Sequence, residues 1–144
     1  MKELPHVYRI DARSEPAGRV VLSSAGVPDL ESSPPAEFGG PGDRWSPEGL
    51  LVAALLDCVS LTFRASAAAS SLRFTELRCG AEATLDREDG ALRFTEIRVR
   101  MELSIPAGER VDRAERLLQR AERSCPVSNS LSTPVHLEIS VKEG

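Results

Sequence analysis

Hydrophobic and polar positions change period along the chain, and the changes divide it into elements. Residues 7–12 and 19–24 alternate as an opening pair of strands, joined through Ser14-Glu15-Pro16-Ala17-Gly18. Residues 26–45 carry Pro28, Pro34, Pro35, Pro41, Gly39, Gly40 and Gly42, which predict a loop over most of that stretch. A loop of that length in a folded domain is often functional. Helical patterning starts at Ser46-Pro47-Glu48. Ser46 suits the cap, Pro47 the first turn where a missing N–H costs nothing, and Glu48 the positive helix end. This helix is expected to run to about residue 69. Leu50 to Leu56 are apolar nearly all round, which predicts a helix buried in the core.

Period two then returns. Leu77, Cys79, Ala81, Ala83 and Leu85 alternate in one strand; Ile97, Val99, Met101, Leu103 and Ile105 alternate in the next, with Arg98, Arg100, Glu102 and Ser104 outward. Asp86-Arg87-Glu88-Asp89-Gly90 is the expected turn between them. A second helix is predicted over about 109–124, with Val111, Ala114, Leu117, Leu118 and Ala121 on one face. Val135, Leu137, Ile139 and Val141 form a closing strand. The near-repeat of residues 72–78 in 92–98 reads as a similarity of strand entrances and is too short for a repeat protein. The class is α+β: antiparallel strands around one buried helix, in a single domain over residues 1–144.

Composition narrows the function. Hydrophobic residues make up 41% and charged residues 28% of 144, ordinary for a folded soluble domain. A net charge of −4 leaves no bulk basic surface for a nucleic-acid partner. The basic residues are arginine except for Lys2 and Lys142, so an internal cation at a site must be Arg or one of His6 and His136. No His/Cys spacing resembles a zinc site, and no glycine-rich phosphate loop follows a strand. Residues 1–7 lack the apolar core of a secretory signal, and the run 50–56 is far short of a membrane span. With three cysteines and no disulfide framework, a reducing cytoplasm is the expected compartment, where a disulfide is transient and catalytic.

Two cysteines carry the candidate chemistry. Cys58 lies deep in the first helix, twelve residues past its cap and beyond useful reach of the helix dipole. A peroxide-reducing thiolate there needs a cation, and an Arg can hold thiolate and peroxide oxygen together. Glu48 is the candidate carboxylate to orient that Arg. Ten residues at 1.5 Å place it roughly 15 Å along the same helix from Cys58, so a shared site calls for Glu48 from a second subunit. Cys125 precedes Pro126 at the start of a short helix, where free N–H groups favour a thiolate and make it a leaving or resolving thiol. Cys79 alternates with core residues and reads as structural, and Trp45 as packing at the helix entrance.

Ser46-Pro47-Glu48 with Cys58 ten residues on, the loop with Glu37-Phe38-Gly39-Gly40, and Cys125-Pro126-Val127-Ser128-Asn129 together resemble the OsmC/Ohr family of thiol-dependent hydroperoxide reductases. The resemblance implies an intertwined homodimer with shared active sites, the Cys-bearing helix buried at its centre. It implies Cys58 as peroxidatic and Cys125 as resolving cysteine, with an Arg from the N-terminal strands paired to Glu48. No bound cofactor is implied. The reductant would be an external dithiol of the dihydrolipoamide type or a lipoylated protein. The Gly-Gly-Arg-Asp-Gly-like turn of the Ohr branch is absent here, which leaves Arg19, Arg13 and Arg44 as candidates for the activating cation. Asp57 beside Cys58 and Gly49 after Glu48 also depart from that branch and point to the broader OsmC-like group. The expected activity is reduction of organic hydroperoxides, with an apolar pocket lined by residues such as Leu55, Val59 and Phe63. The alternatives are a non-catalytic binder of an apolar or thiol-containing molecule, and a redox-sensing dimer.

Overall fold

In the computed structural model, which describes residues 1–144, the alternating stretches form two separate three-stranded sheets, one in each of two units, Met1–Leu51 and Val52–Gly144. The first sheet holds β1 (Asp11–Arg13), β2 (Val20–Ser23) and β3 (Leu30–Ser32), all antiparallel. The opening strand is shorter than its pattern suggests: Val7, Tyr8 and Ile10 lie exposed and outside the sheet. Residues 30–32 are expected in a loop and form β3 instead; a three-residue strand within the five residues that separate Pro28 from Pro34 is too short to show a period. Beyond β3, Ser32 pairs with Trp45, and the Ser33 N–H donates to the Trp45 carbonyl at 3.0 Å. The intervening stretch is irregular apart from a short 3-10 turn at Ala36–Phe38. Gly40 is required there, since a Cβ would lie 1.8 Å from the Pro34 carbonyl oxygen.

Helix α1 (Pro47–Ala69) starts as its sequence predicts. Ser46 Oγ accepts from the Gly49 N–H at 3.0 Å, a cap worth about 1 kcal/mol. Gly49 has its own reason: a Cβ would press to 3.3 Å of that Oγ and 3.6 Å of the Trp45 ring, which lies over the helix entrance.

The second sheet has the order β4 (Glu76–Glu88), β5 (Ala91–Ile105), β6 (Val135–Glu143). Strands β4 and β5 form a long hairpin closed by Asp89-Gly90 alone, both at positive φ (51° and 80°), the two-residue turn that matches strand twist. The pairing of β5 with β6 is parallel, from Ile97↔Val135 to Ile105↔Glu143, which corrects the expectation of an all-antiparallel sheet. Helices α2 (Val111–Ser124) and α3 (Pro126–Ser130) lie between these strands in sequence and supply the crossover that parallel pairing needs.

The core of this unit follows from period against period. Ile97, Val99, Met101, Leu103 and Ile105 face inward from β5 while Arg98, Arg100 and Glu102 face water. They cluster with Leu55, Val59, Phe63 and Ala67 of α1 and Ala114, Leu118 and Ala121 of α2. Each fully buried large side chain contributes about 1.5–3 kcal/mol. Phe63 also meets Phe74 edge to face at 5.3 Å. Helix α1 enters the core along one face. Only one stripe packs on the sheet, and Ala54, Leu61, Ala65 and Ala68 on other faces stay exposed, Leu61 by 50%. By length and composition α1 also passes as a membrane span, a test that core helices of soluble proteins pass too.

Candidate active site

Cys58 and Cys125 come together. Cys58 packs against the core cluster that contains Cys125 and lies near enough to help raise its pKa, although 67 positions separate them in sequence. All three cysteines are free thiols. Cys58 is half-buried at the edge of the core and Cys125 is fully buried in it. The chain leaves α2 at Cys125 with extended geometry (φ −74°, ψ 118°), as a residue before proline prefers, and Cys125 caps α3. Its Sγ accepts from the Ser128 N–H at 3.4 Å. Asp57 is exposed, about 100° around the helix from Cys58, so its charge is spent in water.

The cap does not make Cys125 a resting thiolate. Burial pushes its pKa up to about 11, helped by the hydrogen bond and charge of Cys58 and opposed by the N–H groups of Ser128 and Val127. Desolvation outweighs these N–H groups, which corrects the expectation from the cap alone. Cys125 is therefore a neutral thiol near Cys58. Cys79 is also raised by burial; Ser60 Oγ donates to the Leu56 carbonyl (2.7 Å) and lies 3.4 Å from Cys79 Sγ, in keeping with a structural role.

The charged candidates group differently in the first unit. Arg19 Nη1 (2.9 Å) and Arg44 Nε (3.2 Å) both reach the same oxygen of Glu31, a residue that sequence reasoning missed because it sat in the presumed loop. The Arg44 hydrogen bond, then the Arg19 charge, hold the Glu31 carboxyl below its usual range. Its position opposite Val21 on β2 is the signal that a recognised strand pair would have supplied. Arg13 makes only a 3.8 Å exposed pair with Glu15. Glu48 has a buried carboxylate oxygen with no partner, so the Arg–Glu48 pair implied by the resemblance does not form within one chain. Leu55, Val59 and Phe63 are not pocket walls: all three are fully buried on the sheet-facing stripe of α1.

The chain thus joins a two-sheet α+β fold to a helix cysteine placed near a second, cap cysteine. The model for OsmC-like proteins matches residues 40–140, and the chain belongs to that family. No curated protein sequence matches it. Among solved structures, an OsmC-like protein of unknown function from Vibrio cholerae superposes with TM-score 0.87 at 18% identity, covering 94% of this chain and 100% of that one. An organic hydroperoxide resistance protein from Legionella pneumophila gives 0.75 at 22% identity, with 97% and 99% covered. One from Elizabethkingia anophelis gives 0.74 at 22%, with both chains fully covered. At these identities the likeness establishes the fold.

Proposed function

We propose that the protein is a thiol-dependent peroxidase that reduces organic hydroperoxides to alcohols. The observation that carries this is the placement of Cys58 against the core cluster that holds the cap cysteine Cys125. The Cys58 thiolate attacks the O–O bond of ROOH, leaving a sulfenic acid and, after protonation, ROH. Cys125–SH condenses with Cys58–SOH to give the disulfide and water, and its proton is already beside the oxygen that must leave. An external dithiol, of the dihydrolipoamide class or carried by a lipoylated protein, restores both thiols and is itself oxidised. Structural neighbours described as organic hydroperoxide resistance proteins support the substrate class.

The working unit in this proposal is a homodimer in the cytoplasm. The exposed apolar positions of α1 offer a second copy a surface, and the unpartnered Glu48 oxygen is a carboxylate without its cation. In the dimer Glu48 orients an Arg, with Arg19 ahead of Arg44 and Arg13, toward the Cys58 of the other copy. The test is steady-state turnover of cumene hydroperoxide and hydrogen peroxide with dihydrolipoamide. Wild type is expected to prefer the organic peroxide, Cys58→Ser to be inert, and Cys125→Ser to stop at the sulfenic acid. Absence of wild-type turnover with dihydrolipoamide and with a small dithiol would overturn the proposal.

A further inference from the structure

Glu122 holds the resolving cysteine by two routes. Its backbone carbonyl accepts from the Cys125 N–H at 3.2 Å, at the point where the chain leaves α2. Its carboxylate accepts from Ser128 Oγ at 2.5 Å, and the Ser128 N–H in turn donates to Cys125 Sγ at 3.4 Å. The three residues close a ring of hydrogen bonds around one turn, with the thiol as its only sulfur member. Glu122 is half-buried, and no ion pair competes for its carboxylate. Helix α3 has five residues, too few to fix its own position, so its first turn depends on what ties it down.

We propose that Glu122 is the positioning residue of the resolving thiol, acting through Ser128 to keep Cys125 Sγ aimed at Cys58. The inference rests on the assignment of Cys125 as resolving cysteine and adds what sets the speed of that step. The same ring serves the return reaction. Cys58 is partly exposed and Cys125 fully buried, so an incoming thiolate meets the Cys58 sulfur first. A bond forms from the reductant to Cys58, the Cys58–Cys125 bond breaks, and its electron pair leaves on Cys125 next to the Ser128 N–H, where a proton follows. The second thiol of the reductant then displaces Cys58, closing its own disulfide. A carboxylate fixed to Ser128 keeps that N–H in place for the leaving sulfur.

The experiment separates this step from peroxide chemistry by using 2,2′-dithiodipyridine on the full chain in a Cys79→Ser background. Cys58 attacks the reagent and releases one thiopyridone. Cys125 then attacks the Cys58 mixed disulfide and releases a second. In Glu122→Ala and in Ser128→Ala the first release should be unchanged and the second slowed roughly threefold to tenfold, the worth of one hydrogen bond. The double variant should be no slower than either single one. Glu122→Gln, whose amide oxygen still accepts from Ser128, should restore the wild-type rate. An unchanged second release in a folded Glu122→Ala or Ser128→Ala protein overturns the inference, as does equal slowing of both releases. A Glu122→Gln variant as slow as Glu122→Ala overturns it too, because charge would then outweigh the hydrogen bond. Failure of the peroxidase proposal looks different: normal two-step release in wild type with no peroxide turnover.

Discussion

The thiol half and the charged half of the proposed site are built in opposite ways. Cys58 and Cys125 meet inside one unit, supported by a continuous core and by a ring of hydrogen bonds around Cys125. Arg19 and Arg44 instead converge on Glu31, at the surface of the other unit, and leave a buried oxygen of Glu48 unmatched. In the proposal one half is finished in a single chain and the other waits for a second copy. A dithiol needs only two sulfurs in contact and no water between them, which packing can deliver. Activation of a thiolate and a peroxide needs a desolvated cation with a fixed counter-charge, and an exposed Arg–Glu pair is worth under about 1 kcal/mol and fixes little.

The sharpest way to break the comparison is to prevent two copies from meeting. Ala65→Arg places a charge on the exposed side of α1, away from the Leu55-Val59-Phe63-Ala67 stripe. Sedimentation should show a monomer. Peroxide turnover should fall by more than about 100-fold, the usual cost of losing a charge-stabilising group, while disulfide closure with dithiodipyridine keeps its wild-type rate. A monomer with full turnover would mean that the charged half completes itself within one chain.

A smaller effect separates the two carboxylates. Glu48→Gln should lower kcat/KM for cumene hydroperoxide by about tenfold to a hundredfold, because it removes the charge that orients the activating Arg. Glu31→Gln releases Arg19 and Arg44 from an exposed anchor and should cost less than about fivefold. If Glu31→Gln is the more damaging, the pair seen in the free chain is the working one and Glu48 is only a helix-end charge.

The parts of this architecture legible in the sequence were those governed by local chemistry or by a sustained period. The Ser46 cap, the Cys125-Pro126 cap and the inward face of β5 each follow from neighbouring residues, and each is present. What escaped depended on distant residues or very short runs. The direction of β6 is set by the crossover through α2 and α3, which period two cannot reveal. Strand β3 has three residues, and Glu31 was hidden with it. The Cys125 cap forms from local residues, whereas the burial that raises its pKa is tertiary and outweighs the cap. The apolar run of α1 identified a helix with more apolar surface than one sheet covers, without telling core from interface.

The smallest effect tests whether the thiol half is as rigid as its packing suggests. Asp112 sits in the first turn of α2, at the far end of the helix from Cys125, where hydrogen bonds from Arg110 and Arg116 lower its pKa from 3.8 to about 2. A carboxylate with a lowered folded-state pKa stabilises the fold above its unfolded value, and the contribution fades as pH falls through the folded one. Asp112→Asn should therefore unfold at a slightly lower urea concentration than wild type at any pH above about 4. That gap should close between pH 3.8 and about 2. Because the groups are exposed, the shift should be small and should shrink further in high salt. Thiol closure should not change, since Ala114, Leu118 and Ala121 still anchor α2 along its length. A slower closure in Asp112→Asn would show that fraying at one end of α2 reaches Cys125 at the other, and that the thiol half is held less by its core than by the ends of its helices.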